Sequence, residues 1–254
     1  MHNLKKRLGQ HFLHDKNIIK KIINSVKPNI KDILLEIGPG NGVLSIPLQS
    51  KVSKLIVIEK DKDLIPVLYK SFTGEHNVKI IHGDILKIEL FDLFNEKIRV
   101  IGNLPYNIST EIIFKLIPLN NIIKDMHFML QKEVVERIIA KPGNKTYGRL
   151  SIMAQTYYDV KKLFDISPNV FVPKPKVYSS YLKMYPKVKI FKDEKHENSF
   201  SKIVKIAFIS RRKMLKTSLK NIINAEVFET LSINSCSRPE ELSPKNFIEI
   251  SKYV

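Results

Sequence analysis

A single cysteine, Cys236, stands in 254 residues, which excludes an intrachain disulfide and any metal site built on several thiolates. Long apolar runs are missing too. No stretch approaches the ~18 residues of a membrane span, and the opening Met1-His2-Asn3-Leu4-Lys5-Lys6-Arg7 lacks the apolar core of a secretory signal. A cytoplasmic protein without membrane attachment is expected. Acids are scarce: 25 Asp and Glu face 43 Lys and Arg, a formal net charge of +18. That balance excludes a neutral surface and points to a polyanion, either nucleic acid or an anionic membrane. A lysine-rich compositional bias accounts for part of the excess, but the charge is also clustered. Residues 1–31 carry eight Lys or Arg against one acid, and residues 183–220 carry twelve against three. The length and the 43% hydrophobic content fit a soluble globular chain, either one large α/β domain or a domain with a small appendage.

The most informative stretch is Ile98-Arg99-Val100-Ile101-Gly102, an apolar run that breaks into Asn103-Leu104-Pro105-Tyr106 before a helix opened by Ser109 or Thr110. This pattern predicts a strand that delivers a rigid polar loop. Pro105 fixes its own φ and pushes Leu104 toward an extended conformation, so the carbonyls of Asn103 and Leu104 are expected to leave the ladder and point outward. Acceptors held this way suit an exocyclic amine such as N6 of adenine, whose lone pair is delocalised into the ring. Two acceptors on its N–H bonds favour a pyramidal, nucleophilic nitrogen and offset the positive charge that develops on it. Tyr106 is placed to stack on such a base. The competing reading is an Asx-type turn closing a buried strand, with Tyr106 in the core.

Upstream, Ile33-Leu34-Leu35-Glu36-Ile37 runs into Gly38-Pro39-Gly40-Asn41-Gly42 and then a helix carrying Val43, Leu44, Ile46 and Leu48. A strand, a turn bare of side chains and a helix N-terminus form the nucleotide half of a doubly wound fold. The third glycine comes one position too early for the dinucleotide fingerprint, which fits a cofactor with no phosphate to cradle, such as S-adenosylmethionine. Lys54-Leu55-Ile56-Val57-Ile58 then ends in Glu59, an acid placed to accept both hydroxyls of an adenosine ribose. Val78-Lys79-Ile80-Ile81-His82-Gly83-Asp84-Ile85 repeats the design, with Asp84 placed to accept from the adenine amino group of the cofactor. Three successive strands thus end in glycine or an acid.

At the N-terminus, Asp15 is a candidate cap for a helix with apolar positions 18, 19, 22, 23 and 26, and Gly9-Gln10-His11-Phe12-Leu13 before it reads as an N-terminal arm. Met126-His127-Phe128-Met129-Leu130 predicts a buried strand with His127 as a core residue, and a helix follows to Ala140. Lys141-Pro142-Gly143-Asn144-Lys145 is an exposed loop suited to a polyanion; 147–157 predicts a helix and 158–166 a strand. In Phe171-Val172-Pro173-Lys174-Pro175-Lys176-Val177-Tyr178 the prolines exclude a central strand and suit a pocket wall, with Phe171 as a second stacking face. Beyond Pro186 the alternation of strand and helix stops, dividing the chain into 1–186 and a helical appendage, 187–254. Helical periodicity over 200–224 contains Arg211-Arg212-Lys213, read as a contact to phosphates.

Taken in order, Gly9-Gln10-His11-Phe12-Leu13, the Glu36 to Gly42 turn, Glu59, Gly83-Asp84, Asn103-Leu104-Pro105-Tyr106, Phe171-Val172-Pro173-Lys174-Pro175 and Arg211-Arg212-Lys213 closely resemble the ribosomal RNA adenine dimethyltransferases over nearly the whole chain. The resemblance implies a class I S-adenosylmethionine-dependent methyltransferase fold, Rossmann-like with a seven-stranded, mostly parallel sheet, and a small C-terminal all-α domain. It implies S-adenosyl-L-methionine as donor, no metal, and N6,N6-dimethylation of two adjacent adenosines in a hairpin loop near the 3′ end of 16S rRNA. The partner is then the small ribosomal subunit, with a role in its biogenesis, and a monomer is expected. Carried over, the cofactor contacts are His11, Leu13, Gly38, Gly40, Glu59, Asp84, Ile85 and Asn103. The catalytic loop is Asn103, Leu104, Pro105 and Tyr106, with Phe171 stacking on the target base, and the RNA contacts are Lys5, Lys6, Arg7, Arg211, Arg212 and Lys213. His11 stands where the family usually has Asn, which preserves a backbone contact there. The macrolide-resistance methylases of 23S rRNA share the Asn-x-Pro-Tyr loop but typically read Gly-Ser-Gly in the turn, so Gly38-Pro39-Gly40 favours the small-subunit enzymes. A non-catalytic ribosome-assembly or transcription factor is the reading from another class; the intact 103–106 loop argues against a purely binding role.

Overall fold

The structure, a computed structural model, describes residues 11–188 and 190–254. Its contacts divide the chain into two units: residues up to Val135 together with Lys161–Pro186, and Glu136–Val160 together with Lys187–Val254. β1 (Phe12–Leu13) leads into α1 (Lys16–Val26), where the Asp15 carboxylate accepts from the N–H groups of Asn17 and Ile18, both at 2.9 Å. β2 (Ile33–Ile37), α2 (Ser45–Gln49), β3 (Lys54–Glu59), α3 (Ile65–Ser71) and β4 (Val78–His82) follow in strict alternation. Then come β5 (Ile98–Asn103), α4 (Ser109–Leu116), β6 (Ile123–Gln131), α5 (Lys132–Ile139), α6 (Arg149–Tyr157) and β7 (Tyr158–Ile166). β8 (Phe171–Val172) and β9 (Ser179–Pro186) complete the strands.

Seven strands form one sheet in the order β4-β3-β2-β5-β6-β9-β7; β4 through β6 run parallel and β9 is antiparallel to β6. Strands buried on both faces read as unbroken apolar runs, which is why β3 exposes only Lys54 and β5 is buried from Ile98 to Gly102. The chain moves outward from β2 through β3 to β4 and then returns to β5 on the other flank of β2. That reversal opens a crevice at the carboxyl ends of β2 and β5, where the glycine turn and the Asn103 loop emerge.

The amino-terminal end of β5 is tied down by charge. Arg99 lies opposite Asp125 of β6 and is only 4% exposed. Its Nε and Nη2 donate to the two Asp125 oxygens at 2.7 and 2.8 Å, Nη1 to Asp32 at 2.8 Å, and the remaining N–H groups to the carbonyls of Val26 and Lys27 at the end of α1. Burial alone would raise the Asp125 carboxyl, but hydrogen bonds from His127 and Arg99 outweigh it and hold the group well below the usual carboxylate range. His127 is fully buried beside Asp125, as its apolar context predicts.

The second unit is helical: α6 with α7 (Glu194–Ile209), α8 (Leu215–Ser218), α9 (Ala225–Thr230) and α10 (Pro244–Ser251). The sequence alone divides the chain at Pro186, whereas residues 136–160 cluster with the C-terminal helices. The cause is α6, which buries seven of its nine residues, and the Tyr147 hydroxyl that donates to the Leu242 carbonyl at 2.9 Å. No helix among the described residues is long and apolar enough to cross a membrane.

Candidate functional site

One cavity at the carboxyl ends of β2 through β5 is lined by His11, Leu13, Glu36, Gly38, Gly40, Glu59, Asp84, Ile85, Asn103, Leu104, Pro105 and Tyr106. Every residue assigned to the cofactor from sequence is therefore in one place, together with the 103–106 loop. Phe12, Leu44, Ile58 and Lys60 also line it and were not singled out from sequence, because an apolar or basic side chain beside a motif carries no signal of its own. Phe12 explains one glycine. A Cβ on Gly40, whose φ is +60°, would lie 2.8 Å from the Phe12 ring, so only a bare backbone lets the aromatic close against the turn.

Glu59 is fixed by that same turn. One carboxylate oxygen accepts the Gly40 N–H at 3.0 Å and the other the Asp61 N–H at 2.8 Å. Burial pushes its carboxyl up, against the pull of these backbone donors. Each oxygen retains a further lone pair, so a held, buried carboxylate at the end of β3 fits a neutral diol such as a ribose. Asp84 accepts from Lys60 Nζ at 2.7 Å and from the Leu86 N–H at 3.0 Å, and the Lys60 bond holds its carboxyl below the usual range.

Glu36 is 1% exposed, accepts a bond from the Ser45 hydroxyl, and is pushed up to about 7 by burial, with the Glu59 charge adding to the rise. A folded-state value above the unfolded 4.5 means that the native protein keeps a proton the unfolded chain loses. Stability from this group is full below pH ~4.5 and is lost as pH rises toward 7. Glu36→Gln is expected to flatten that part of the profile, gaining up to roughly 3 kcal/mol on the parent between pH 4.5 and 8. Urea unfolding of both proteins across that range is the check; parallel profiles would mean that Glu36 stays charged.

The Asn103 loop differs from its sequence reading in one respect. Asn103 still pairs with Met129 and the Leu104 N–H donates to the Met129 carbonyl at 3.2 Å, so the ladder runs one residue further than Pro105 suggests. The restriction acts on φ and ψ of Leu104 and does not remove its N–H. The Asn103 side-chain nitrogen donates to the His11 carbonyl at 2.8 Å. Its oxygen is thereby the pole of the amide left to meet an incoming N–H. Tyr106 shares a hydrogen bond with the Ser179 hydroxyl at 2.5 Å and lies 5.3 Å, ring to ring, from His11, whose Nδ1 donates to the Pro173 carbonyl at 2.7 Å.

Of the segment read as an arm, the described residues His11 to Leu13 are held in place: Phe12 and Leu13 pair antiparallel with Val172 and Phe171, which carries His11 over the cavity. Phe171 is not a stacking face. Strand alternation turns it inward, 2% exposed, into the core with Leu13, Ile166 and Tyr181, while Val172 faces out. The basic triplet is outside a helix, since α7 ends at Ile209 and 211–213 form a turn. There Arg211 is bonded to the Glu240 carboxylate and to the Lys145 carbonyl, leaving Arg212 and Lys213 exposed. Lys5, Lys6 and Arg7 lie outside the described residues.

The family model for ribosomal RNA adenine dimethylase matches residues 1–254. A ribosomal RNA small subunit methyltransferase A of Coxiella burnetii is 42% identical over 252 residues, covering 99% of this chain and 98% of the relative. The protein of that name from Pseudomonas fluorescens is 42% identical over 253 residues, covering 98% and 93%. Among solved structures, a dimethyladenosine transferase from Plasmodium falciparum superposes with a TM-score of 0.82 at 28% identity, covering 94% of this chain and 96% of its own. The 23S rRNA methyltransferase ErmE superposes at 0.73 with 19% identity over 95% and 98%, a likeness of fold alone. Sheet order, glycine turn and Asn103 loop are those of a class I methyltransferase, and with its full length matched the chain belongs to the ribosomal RNA adenine dimethylase family.

Proposed function

We propose that this protein is an adenine N6,N6-dimethyltransferase that uses S-adenosyl-L-methionine to modify two adjacent adenosines near the 3′ end of 16S rRNA in the small ribosomal subunit. It acts in the cytoplasm, as a monomer, during subunit biogenesis. The observation that carries this reading is the Asn103 amide, oriented by the His11 carbonyl inside the cavity that also holds Glu59 and Asp84.

The donor, when bound, supplies an electrophilic methyl group. Glu59 takes its ribose hydroxyls, Asp84 its adenine amino group, and the turn at Gly38 and Gly40 admits it close to backbone. On the acceptor side, Asn103 Oδ1 and a loop carbonyl receive the two N–H bonds of the target N6, and Tyr106, steadied by Ser179, stacks on the base. A methylated exocyclic amine loses its proton readily, so no side chain is required as general base. The test is to supply labelled donor with under-methylated small subunits or with naked 23S rRNA and map the modified bases. Label on adjacent adenosines of the small subunit is expected; label confined to 23S rRNA, or RNA binding without label, would overturn the proposal.

Glu59→Ala is expected to weaken donor affinity by roughly 1–3 kcal/mol, since two hydroxyls lose a charged acceptor. Calorimetry reads it directly, and unchanged affinity in a folded variant would remove Glu59 from the site. In the helical unit, Arg212→Glu with Lys213→Glu is expected to weaken subunit binding and shallow its salt dependence while donor affinity holds. Arg211 is left out of that variant because its bond to Glu240 ties it into the unit. Equal salt slopes for variant and parent would place these two cations off the RNA.

A further inference from the structure

A second concavity, separate from the donor cavity, is lined by Ser167, Asn169, Lys174, Pro175, Lys176 and Tyr178. We infer that it binds the single-stranded ribonucleotide next to the target adenosine, with Lys174 and Lys176 on a phosphate and Tyr178 against a base. This rests on the proposed function. Lys174, Lys176 and Tyr178 are all exposed, and Tyr178 leaves 55% of its surface in water. No acid lines the concavity, and among the described residues neither lysine pairs with a carboxylate. Pro173 and Pro175 fix φ on either side of Lys174, so its cation is presented from a stiffened backbone.

The segment carrying these groups is pinned at both ends to residues that line the donor cavity: the Pro173 carbonyl to His11 and the Ser179 hydroxyl to Tyr106. The Tyr178 carbonyl is also held, by the Lys132 N–H at 2.9 Å. The segment therefore runs along the rim of the cavity. A base drawn into that cavity leaves its neighbours on the rim. Paired cations for a phosphate, an aromatic face for a base, and a hydroxyl and an amide for base edges are the groups that recognise single-stranded RNA. A single strand offers both kinds of group a partner at once, a phosphate for the lysines and a base for the ring.

The experiment uses the full chain and under-methylated small subunits, with single-turnover rate, KM for subunits and its salt dependence measured in parallel. Lys174→Ala with Lys176→Ala is expected to raise KM about tenfold at low salt and to lower the log–log salt slope by about 0.7, the value for one phosphate neutralised on a single strand. Tyr178→Ala is expected to raise KM roughly 5- to 100-fold, and Tyr178→Phe, which keeps the ring, to restore it. Donor affinity and turnover at saturating subunits stay within about twofold of the parent. Ultraviolet crosslinking is expected to join Tyr178 to a nucleotide beside the target. Parental KM and salt slope in these variants, or a crosslink to a ribosomal protein, would overturn the inference while the parent still methylates. A parent that methylates no small subunit would instead overturn the proposed function.

Discussion

Asn103→Ala is expected to slow single-turnover methylation of small subunits by ~10²-fold or more while subunit affinity changes little. The amide oxygen is asked to act on a nitrogen whose charge appears only as the methyl group arrives, so it contributes to the transition state far more than to binding. Its orientation is prepared in advance. The Nδ2 bond to the His11 carbonyl at 2.8 Å holds the amide, so no reorganisation is left for the reaction itself. Asn103→Asp makes the argument sharper: it keeps an acceptor but sets a carboxylate against the His11 carbonyl, and is expected to lose most of the same rate. Products resolved by mass in a single turnover give both numbers. Parental turnover in Asn103→Ala would sink the acceptor mechanism whatever the substrate proves to be.

Arg99→Met should cost ~3–5 kcal/mol of stability, the largest effect expected away from the catalytic loop. The methionine fills similar space, but it abandons two buried carboxylates, Asp32 and Asp125, and two carbonyls at the end of α1. The acids keep their bonds to Lys124, Lys183 and His127, and protonation relieves the charge that these leave uncompensated. In the parent their lowered values mean stability that is present at neutral pH and lost as pH falls below the ordinary carboxylate range. The gap between variant and parent should therefore narrow as the pH is lowered toward 4. Urea unfolding at pH 7.5 and near pH 4 measures it, and a loss under about 1 kcal/mol at pH 7.5 would show that Lys124, Lys183 and water satisfy the acids without Arg99.

The nucleotide half of the fold was legible in the residues, because what specifies it is local. β2 to β5 are apolar runs of strand length, each closed by a glycine or polar residue, and the acids at Glu59 and Asp84 stand at strand ends where a parallel sheet collects its loops. Asp15 as a cap, His127 in the core and β7 over 158–166 were legible for the same reason. What the tertiary structure decided were the partners that sequence distance hides. Phe171 looked like a stacking face until its pairing with Leu13 turned the ring into the core, and His11 to Leu13 looked like part of an arm until that same pairing laid them over the cavity. Asn103 and the His11 carbonyl that orients it are 92 positions apart, Tyr106 and Ser179 are 73 apart, and Arg211 meets Glu240 only once the helical unit has closed. Periodicity and turn chemistry report which face of an element is buried and where it ends. Which other element lies against that face depends on closing long loops, a choice made by the summed packing of the whole core and written in no short stretch of the chain.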